Sequence, residues 1–405
     1  MLLFAVGLLA SVAIHEFGHF YPARKFGVRV SQFMVGFGPT LFSRKRGETE
    51  FGIKAIPLGG YVRIIGMLPP KPELTRGPFK NLINQTRSTS MADIRESDSG
   101  RTFYQLHPAK KLVVMLGGPV MNLVTAVVLL FIAFVLIGTP QPTTKVAEVI
   151  DCLPTAITQS NSCEAGAELS PAAKIKLQPA DQIIAINNIA TDDWDQLVSA
   201  IDAAAGQRVV LKLLRGEFTS SLSVEVADIS TAGKQDGYLG FTPKVELNRQ
   251  SPIVIVEFIG RVASATGSLL LELPMRVSNL IATAVGSQPR DLDGPISIIG
   301  VSVISGDLVA QQAPATWRLL DFIVLLASVN LALFFFNLLP ILPLDGGHVA
   351  GALYEWGKRK LRIGSAVEPV DTAKLMPVAY LFAFVLLGFS LLLIYVDLIA
   401  PIRLN

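Results

Sequence analysis

The run from Met1 to Ile14 carries no charge and passes directly into His15-Glu16-Phe17-Gly18-His19. That junction constrains the fold more than any other stretch. An uncharged segment of this kind suits lipid, and a histidine or glutamate at membrane depth is costly enough to need a purpose. Two histidines four apart on a helix lie about 40° apart around its axis, so both imidazoles face one way. That geometry can grip one side of a tetrahedral zinc ion. Glu16 stands between them, within reach of a water that such an ion would activate. The plain alternative is two histidines packed at a helix end. With four histidines in the whole chain, the pattern is seldom a chance match.

The composition agrees with a membrane setting. Hydrophobic residues make up 51% of the 405 and charged residues 17%, against about 25% charged in a typical soluble protein. A net charge of +3 without basic-aromatic interleaving argues against a nucleic-acid partner. Cys152 and Cys163 are the only cysteines. They suggest one disulfide on an oxidising side, with two free thiols as the alternative.

Residues 1–23 are long enough for a first transmembrane helix. The segment lacks a basic leader and a small-residue cleavage site, so it is expected to be retained. Arg24, Lys25, Arg29, Arg44, Lys45 and Arg46 follow, and the positive-inside rule places that side in the cytoplasm. Residues 49–66 alternate in part and turn at Pro57 to Gly60. They are expected to form a β-hairpin against the membrane, with an edge able to pair with an extended peptide. An ordinary cytoplasmic hairpin is the alternative. Residues 67–108 read as a polar cytoplasmic loop, mobile from about 84 to 101, in which His107 is simply solvated.

A second span is expected over 112–137, entered past Lys110 and Lys111. Gly117, Gly118, Pro119 and Asn122 interrupt its first turns. Glycines allow close helix approach, and a buried amide needs a partner. Residues 143–246 change to short β-rich runs with one helix near Asp193 to Ala204, capped by Asp192 or Asp193. The stretch from Ser170 to Asn187 resembles a PDZ domain, with Ala180 where the turn glycine usually stands. PDZ domains bind extended peptides by strand addition, although a spacer or size filter fits as well. This domain is expected outside the cell. Residues 250–316 are expected to carry an amphipathic helix on the outer surface, with a run from Gly294 to Gly300 that the sequence does not place.

The third span, 320–345, contains Asn330 and Asn337 and ends at Pro340, Pro343 and Asp345. Prolines break a helix, and broken backbone at membrane depth is tolerated where it lines a cavity. Lys358, Arg359, Lys360 and Arg362 follow, so this end is cytoplasmic. A fourth span over 374–398 returns the C-terminus outside, where the N-terminus also lies. The fold is thus expected to be mainly α-helical and membrane-bound. It has four transmembrane helices, a membrane-associated hairpin and an inserted extracytoplasmic α/β domain.

A catalytic zinc needs three protein ligands and an open position. His15 and His19 supply two. Asp345 is the best third, ending another span at matching depth, with His348 as its rival and a plain capping aspartate as the bland reading. At this point the chain resembles the site-2 protease family of intramembrane zinc metalloproteases. The resemblance rests on His15-Glu16-Phe17-Gly18-His19, on Gly117-Gly118-Pro119 with Asn122, and on Asn337-Leu338-Leu339-Pro340 leading to Pro343-Leu344-Asp345-Gly346-Gly347. It implies one zinc ion held by His15, His19 and Asp345, with Glu16 as the base and an active site near the cytoplasmic side of a bacterial cell membrane. It further implies that Asn337 binds substrate backbone or the oxyanion. The hairpin, at Gly59, Gly60 and Tyr61, would clamp a substrate strand. One PDZ-like domain matches the bacterial branch that releases membrane-held anti-sigma factors, so the partners implied are a single-span membrane protein, a peptide at the PDZ-like domain and the bilayer. The competing class is an inactive zinc-binding scaffold or a transporter, which would not need Glu16 beside an open metal position.

Overall fold

A computed structural model of the protein describes residues 2–153, 163, 167–230, 236–291, 294–297, 299–304, 314–361 and 369–401. Arg362, Ile298 and residues 154–162 between the cysteines lie outside that set. The chain divides into two compact units, Met1–Leu136 with Ser251–Asn405, and Ile137–Gln250.

The first unit opens with α1 (Leu2–Lys25), which runs unbroken through the two histidines, with Arg24 and Lys25 in its last turn. Two long strands follow, β1 (Val30–Arg46) and β2 (Thr49–Ile64), reversing at the positive-φ Gly47. Their register corrects the hairpin expected within 49–66. The two halves of β2 do not pair with each other. Gln32 to Val35 lies between them, partnered by Glu50 to Ile53 on one side and by Gly60 to Arg63 on the other. Thr40 to Arg46 then pairs with the outer flank of 49–54. The chain therefore builds a small sheet of four segments. The physical reason is the strand at Val30 to Phe37, which supplies the backbone partners for both halves of β2. The segment around Gly60 to Ile64 is one edge of this sheet.

The expected loop over 67–108, with its mobile stretch from about 84 to 101, is also corrected, because it contains α2 (Lys80–Ala92) and two short 3₁₀ turns. Long-range partners order it. Arg29 donates from Nε and Nη2 to the carboxylate of Asp98 at 2.7 and 2.8 Å, with both side chains buried. Arg87 of α2 pairs with Asp371. Burial by itself would raise the Asp98 carboxyl, but the Arg29 guanidinium and the Arg95 N–H hold it below the usual carboxylate range.

The helix α3 (Pro108–Leu130) continues as a π-helical stretch to Ile137. It packs antiparallel to α1, since His15 lies beside Asn122 and His19 beside Val114.

The second unit is a β domain with small helices. Its strands are β3 (Thr139–Val149), β4 (Gln182–Ile186), β5 (Ile189–Ala190), β6 (Arg208–Arg215), β7 (Phe218–Glu225), β8 (Ala227–Asp228), β9 (Gly237–Tyr238) and β10 (Phe241–Asn248). The sheet order is β10-β3-β4-β6-β7, with β5 on β4 and β8 paired to β9. Strict alternation in β6 turns Val209, Leu211 and Leu213 inward onto Ile183 and Leu197. The helices are α4 (Pro171–Lys174), capped by Ser170, and α5 (Trp194–Ala203), capped by the Asp193 carboxylate on Gln196 N at 2.8 Å. Cys152 and Cys163 are joined in a disulfide. Asp181 is fully buried and accepts from Arg215 Nε and Nη2 at 2.6 Å each and from Gln178 N at 2.8 Å.

Back in the first unit come α6 (Ile253–Ala284), α7 (Ala315–Asn337), α8 (Asp345–Lys360) and α9 (Met376–Ile399). Five helices among the described residues are long and apolar enough to cross a membrane, one more than the four expected, the fifth being Ile253–Glu272. The direction of the others is fixed by their contacts. Asn330 Nδ2 donates to Ser11 Oγ at 2.9 Å, and Gly7 abuts Leu326, so α7 runs parallel to α1. The segment leading into α9 packs on Leu68 and Ile83, and α9 runs away from there. Near its start α6 meets the far end of α3 through Phe258 and Phe134 (ring centroids 5.5 Å apart), and near its finish Leu280 packs on Leu393 and Val396 at the far end of α9. Both ends of α6 therefore touch the same side of the helical unit, the side away from His15 and His19.

Ala180 occupies the left-handed region at φ +72°, where a side chain costs about 1–2 kcal/mol. Ala180→Gly relieves that strain, offset in part by the greater freedom of glycine in the unfolded chain. The variant is expected to gain about 1 kcal/mol in the second unit, read as slower hydrogen exchange across β4 and β6.

Candidate metal centre

His15 and His19 sit one turn apart on α1 because nothing in Met1 to Lys25 interrupts the helix before them. Asp345 arrives from the other end of the sequence. It is the first residue of α8, after a turn of prolines and apolar residues that follows the last turn of α7. Gly346 and Gly347 let that turn close, since a side chain on either would strike the backbone of Leu338–Leu339 or Ile341–Leu342. The three donors converge. Nε2 of His15 lies 3.3 Å from Nε2 of His19, and Asp345 Oδ2 lies 3.4 and 3.3 Å from them. Ligand atoms about 2.0–2.1 Å from a tetrahedral zinc ion stand about 3.3–3.4 Å apart, so the triangle matches one face of such a site.

Hydrogen bonding around the triangle supports the same fit. His19 Nδ1 lies 2.8 Å from the Val114 carbonyl, which can only accept, so Nδ1 carries the proton and Nε2 is left as a lone pair. His15 Nδ1 lies 3.1 Å from the side-chain amide of Asn122, whose Oδ1 is buried without a partner when Nδ2 faces the ring. Turned end for end, the amide offers Oδ1 to the Nδ1 proton, which leaves His15 Nε2 as a lone pair. Among the described residues, Asp345 Oδ2 is likewise buried with no hydrogen-bond partner. Two lone pairs and a carboxylate oxygen held this close repel one another unless a cation lies between them.

Glycines make the approach possible. At Gly18 and Gly117 the backbones of α1 and α3 touch, and a side chain on either would overlap the other's carbonyl. A Cβ on Gly118 would overlap His19 Nε2 and lie 2.7 and 2.8 Å from Cε1 of His19 and His15. Pro119 is buried in the same helix.

Glu16 is 9% exposed and points toward the edge of the sheet. The backbone of Val62 hydrogen-bonds its carboxyl, and a Cβ on Gly60 would lie 3.1 Å from Glu16 Cγ. The sheet edge and the carboxylate are thus direct neighbours, a contact whose Val62 half sequence pattern gives no sign of. Gly59 sits beside it at φ +110°, and the Tyr61 ring stacks on Phe37 with centroids 6.2 Å apart. Asn337 is half-buried in the last turn of α7, and among the described residues no hydrogen bond joins it to the converging groups. His348 is not one of the three converging residues. It lines a cavity of about 510 Å³ with Ile64, Leu68 and Tyr380.

Sequence reasoning missed the ion network that ties α8 to α3. Lys111 Nζ donates to Glu355 at 2.7 Å, and Arg359 reaches the other oxygen of the same carboxylate at 2.9 Å, with Lys111 and Glu355 buried. Residues 244 apart in the chain leave no local signal of such a pair.

Membrane-length helices around two imidazoles, a carboxylate and an adjacent glutamate define a membrane-embedded zinc metallopeptidase. The model for peptidase family M50 matches residues 3–383, and the chain belongs to that family, the site-2 proteases. It is similar to the zinc metalloprotease Rip1 of Mycobacterium bovis, 31% identical over all of this chain and 98% of the relative. Rip1 of Mycolicibacterium smegmatis is 33% identical, with 99% and 98% covered. A putative zinc metalloprotease of Clostridium acetobutylicum is 28% identical over 87% of this chain and 85% of its own. Among solved structures, the PDZ domain of an SdrC-like protein from Listeria monocytogenes covers 24% of this chain and 86% of its own, at 15% identity and a TM-score of 0.17. The chain is a zinc metalloendopeptidase and a multi-pass membrane protein.

Gly118→Ala tests the packing argument. The added methyl displaces both imidazoles, so zinc affinity is expected to fall about 10- to 100-fold. The measurement is competition with a chromophoric chelator on purified protein, with Gly357→Ala, in open space, as the silent control.

Proposed function

We propose that the protein cuts within a transmembrane segment of a single-span membrane protein, and that the natural substrates are anti-sigma-factor-type regulators. The contact between Glu16 and the sheet edge, beside the His15, His19 and Asp345 triangle, is the observation that carries this reading. These three residues hold the zinc ion. When bound, zinc supplies Lewis acidity, which polarises the scissile carbonyl and makes water a better acid. Glu16 takes the proton of the attacking water and later delivers it to the departing amine nitrogen. The amide of Asn337, close along the chain, binds substrate backbone or the developing oxyanion.

A substrate helix hides its peptide bonds and must unwind locally before any of this can occur. Lipid offers no replacement hydrogen bonds. The edge formed by Gly60 to Ile64 does, and an extended stretch of substrate paired there lies against Glu16. Gly59 and Gly60 keep the approach clear of side chains, and Tyr61 braces the strand through Phe37.

The orientation follows from charge. Arg24 and Lys25, Lys110 and Lys111, and Lys358 to Lys360 all belong to the end of the bundle near the metal triangle, which we assign to the cytoplasm. The parallel run of α1 and α7 allows an even number of crossings between α3 and α7, so α6 is read as lying on the outer surface and four helices as spanning. Both termini and the disulfide-bonded PDZ-like domain are then outside, where the domain can engage a peptide.

Glu16→Gln is expected to keep one zinc per chain and to lose cleavage of a reconstituted single-span substrate by about 10³-fold. Product quantified by gel, alongside metal analysis of the same sample, separates the two effects. Cleavage at the wild-type rate removes Glu16 from the reaction.

A further inference from the structure

The four-segment sheet has two unlike faces. Phe33 pairs with Phe51, Val35 with Ile53, and Phe42 with Ile53 again from the outer segment, so these rings and branched chains share one face. They line a groove of about 780 Å³, within the range of about 300–1,000 Å³ typical of small-molecule sites. The opposite face carries Gln32, Ser43, Lys45 and Glu50, while Arg44, paired with Phe51, and Arg46 fall on the apolar side. The apolar face leans on α1, where the Phe20 ring meets Phe33 and Phe51 edge-on with centroids 5.6 and 5.5 Å away. On α1 the neighbouring Phe17 and Tyr21 are outward-facing, and at the sheet's outer segment Leu41 and Phe42 are 71% and 65% exposed.

One rim of this groove is strongly basic. Arg44, Lys45 and Arg46 line it, and among the described residues none of them makes an ion pair within 4 Å. Glu48 is paired with Arg101, and Glu50, on the other face, lies opposite Lys45 across the strands and accepts from Gln32. Arg24 and Lys25 close the last turn of α1, over the rings of Phe20 and Tyr21. An aromatic trough that opens onto a spanning helix and ends in Arg44 and Arg46 on its own face, with Lys45 at the rim, is complementary to one kind of molecule. It fits an acyl chain joined to an anionic phosphate headgroup.

We propose that this face of the sheet is a binding site for an anionic phospholipid, with an acyl chain over Phe33, Phe51 and Ile53 and the phosphate on Arg44 and Arg46. The bound lipid would fill the trough that the sheet leaves open and so brace the edge strand from behind. The site is separate from the metal triangle, and its test does not depend on proteolysis.

The full-length protein in neutral detergent is incubated with dioleoyl phosphatidylglycerol, dioleoyl phosphatidylcholine or inorganic phosphate, repurified, and its retained ligand measured by native mass spectrometry. Retention of about one phosphatidylglycerol per chain is expected, at least about tenfold over phosphatidylcholine, with no retained inorganic phosphate. Arg44→Gln and Arg46→Gln together should remove that preference. The charge-preserving pair Arg44→Lys and Arg46→Lys should keep it, and unchanged zinc content and elution volume report an intact fold. Equal retention of the two lipids, or phosphatidylglycerol held as well by the Arg44→Gln and Arg46→Gln double variant, overturns the proposal. So does displacement of the lipid by a single-span substrate peptide at equal concentration, which would assign the groove to substrate.

Discussion

Two helices that touch backbone to backbone make the rest of this molecule possible. At Gly18 and Gly117 there is no room for even one methyl group between α1 and α3. That closeness brings Val114 and Asn122 within hydrogen-bonding distance of His19 and His15. A lipid-embedded imidazole without such a partner would be expensive, and with one it is held in the orientation that leaves Nε2 to a metal. Small residues at helix contacts usually serve packing alone in membranes. Here they also set the reach of the metal-binding atoms.

The same economy of polar groups explains the sheet. Backbone cannot enter the membrane region unsatisfied. Inserting Gln32 to Val35 between the two halves of β2 satisfies most of it and leaves one edge, which lies against Glu16. An unpaired strand edge is ordinarily a hazard. Under the proposed reaction, in which the substrate loses its own helical hydrogen bonds, this edge would be the means of holding the chain extended. The Lys111–Glu355–Arg359 network keeps α8, and with it Asp345, docked on α3. A buried pair of this kind contributes little to stability by itself, but breaking one half costs about 3–5 kcal/mol.

What could be read in the sequence was what depends on neighbours along the chain. The helical spacing of His15 and His19, the apolar runs, and the cap at Asp193 are local, and the structure has each where helix geometry demands. Ala180 was visible as a departure from glycine, and its positive φ gives that departure a cost. The sheet was not legible, because strand 30–37 separates two segments that appear contiguous and self-pairing. The loop over 67–108 looked mobile because Arg87 and Asp98 find their partners far away, at Asp371 and Arg29. Length and composition make α6 a candidate span, and only its contacts at both ends reveal which side of the unit it touches.

The central claim is that two imidazole nitrogens and one carboxylate oxygen from α1 and α8 close around a single divalent ion. X-ray absorption at the zinc edge of the purified, zinc-loaded protein tests it most directly. One zinc per chain is expected, with a first shell of nitrogen and oxygen only, about 2.0–2.2 Å away, and the multiple-scattering signature of two imidazoles. Asp345→Ala should lower that occupancy while Asp371→Ala leaves it unchanged. A sulfur-containing or six-oxygen shell, or a full imidazole shell that survives the loss of Asp345, would contradict it.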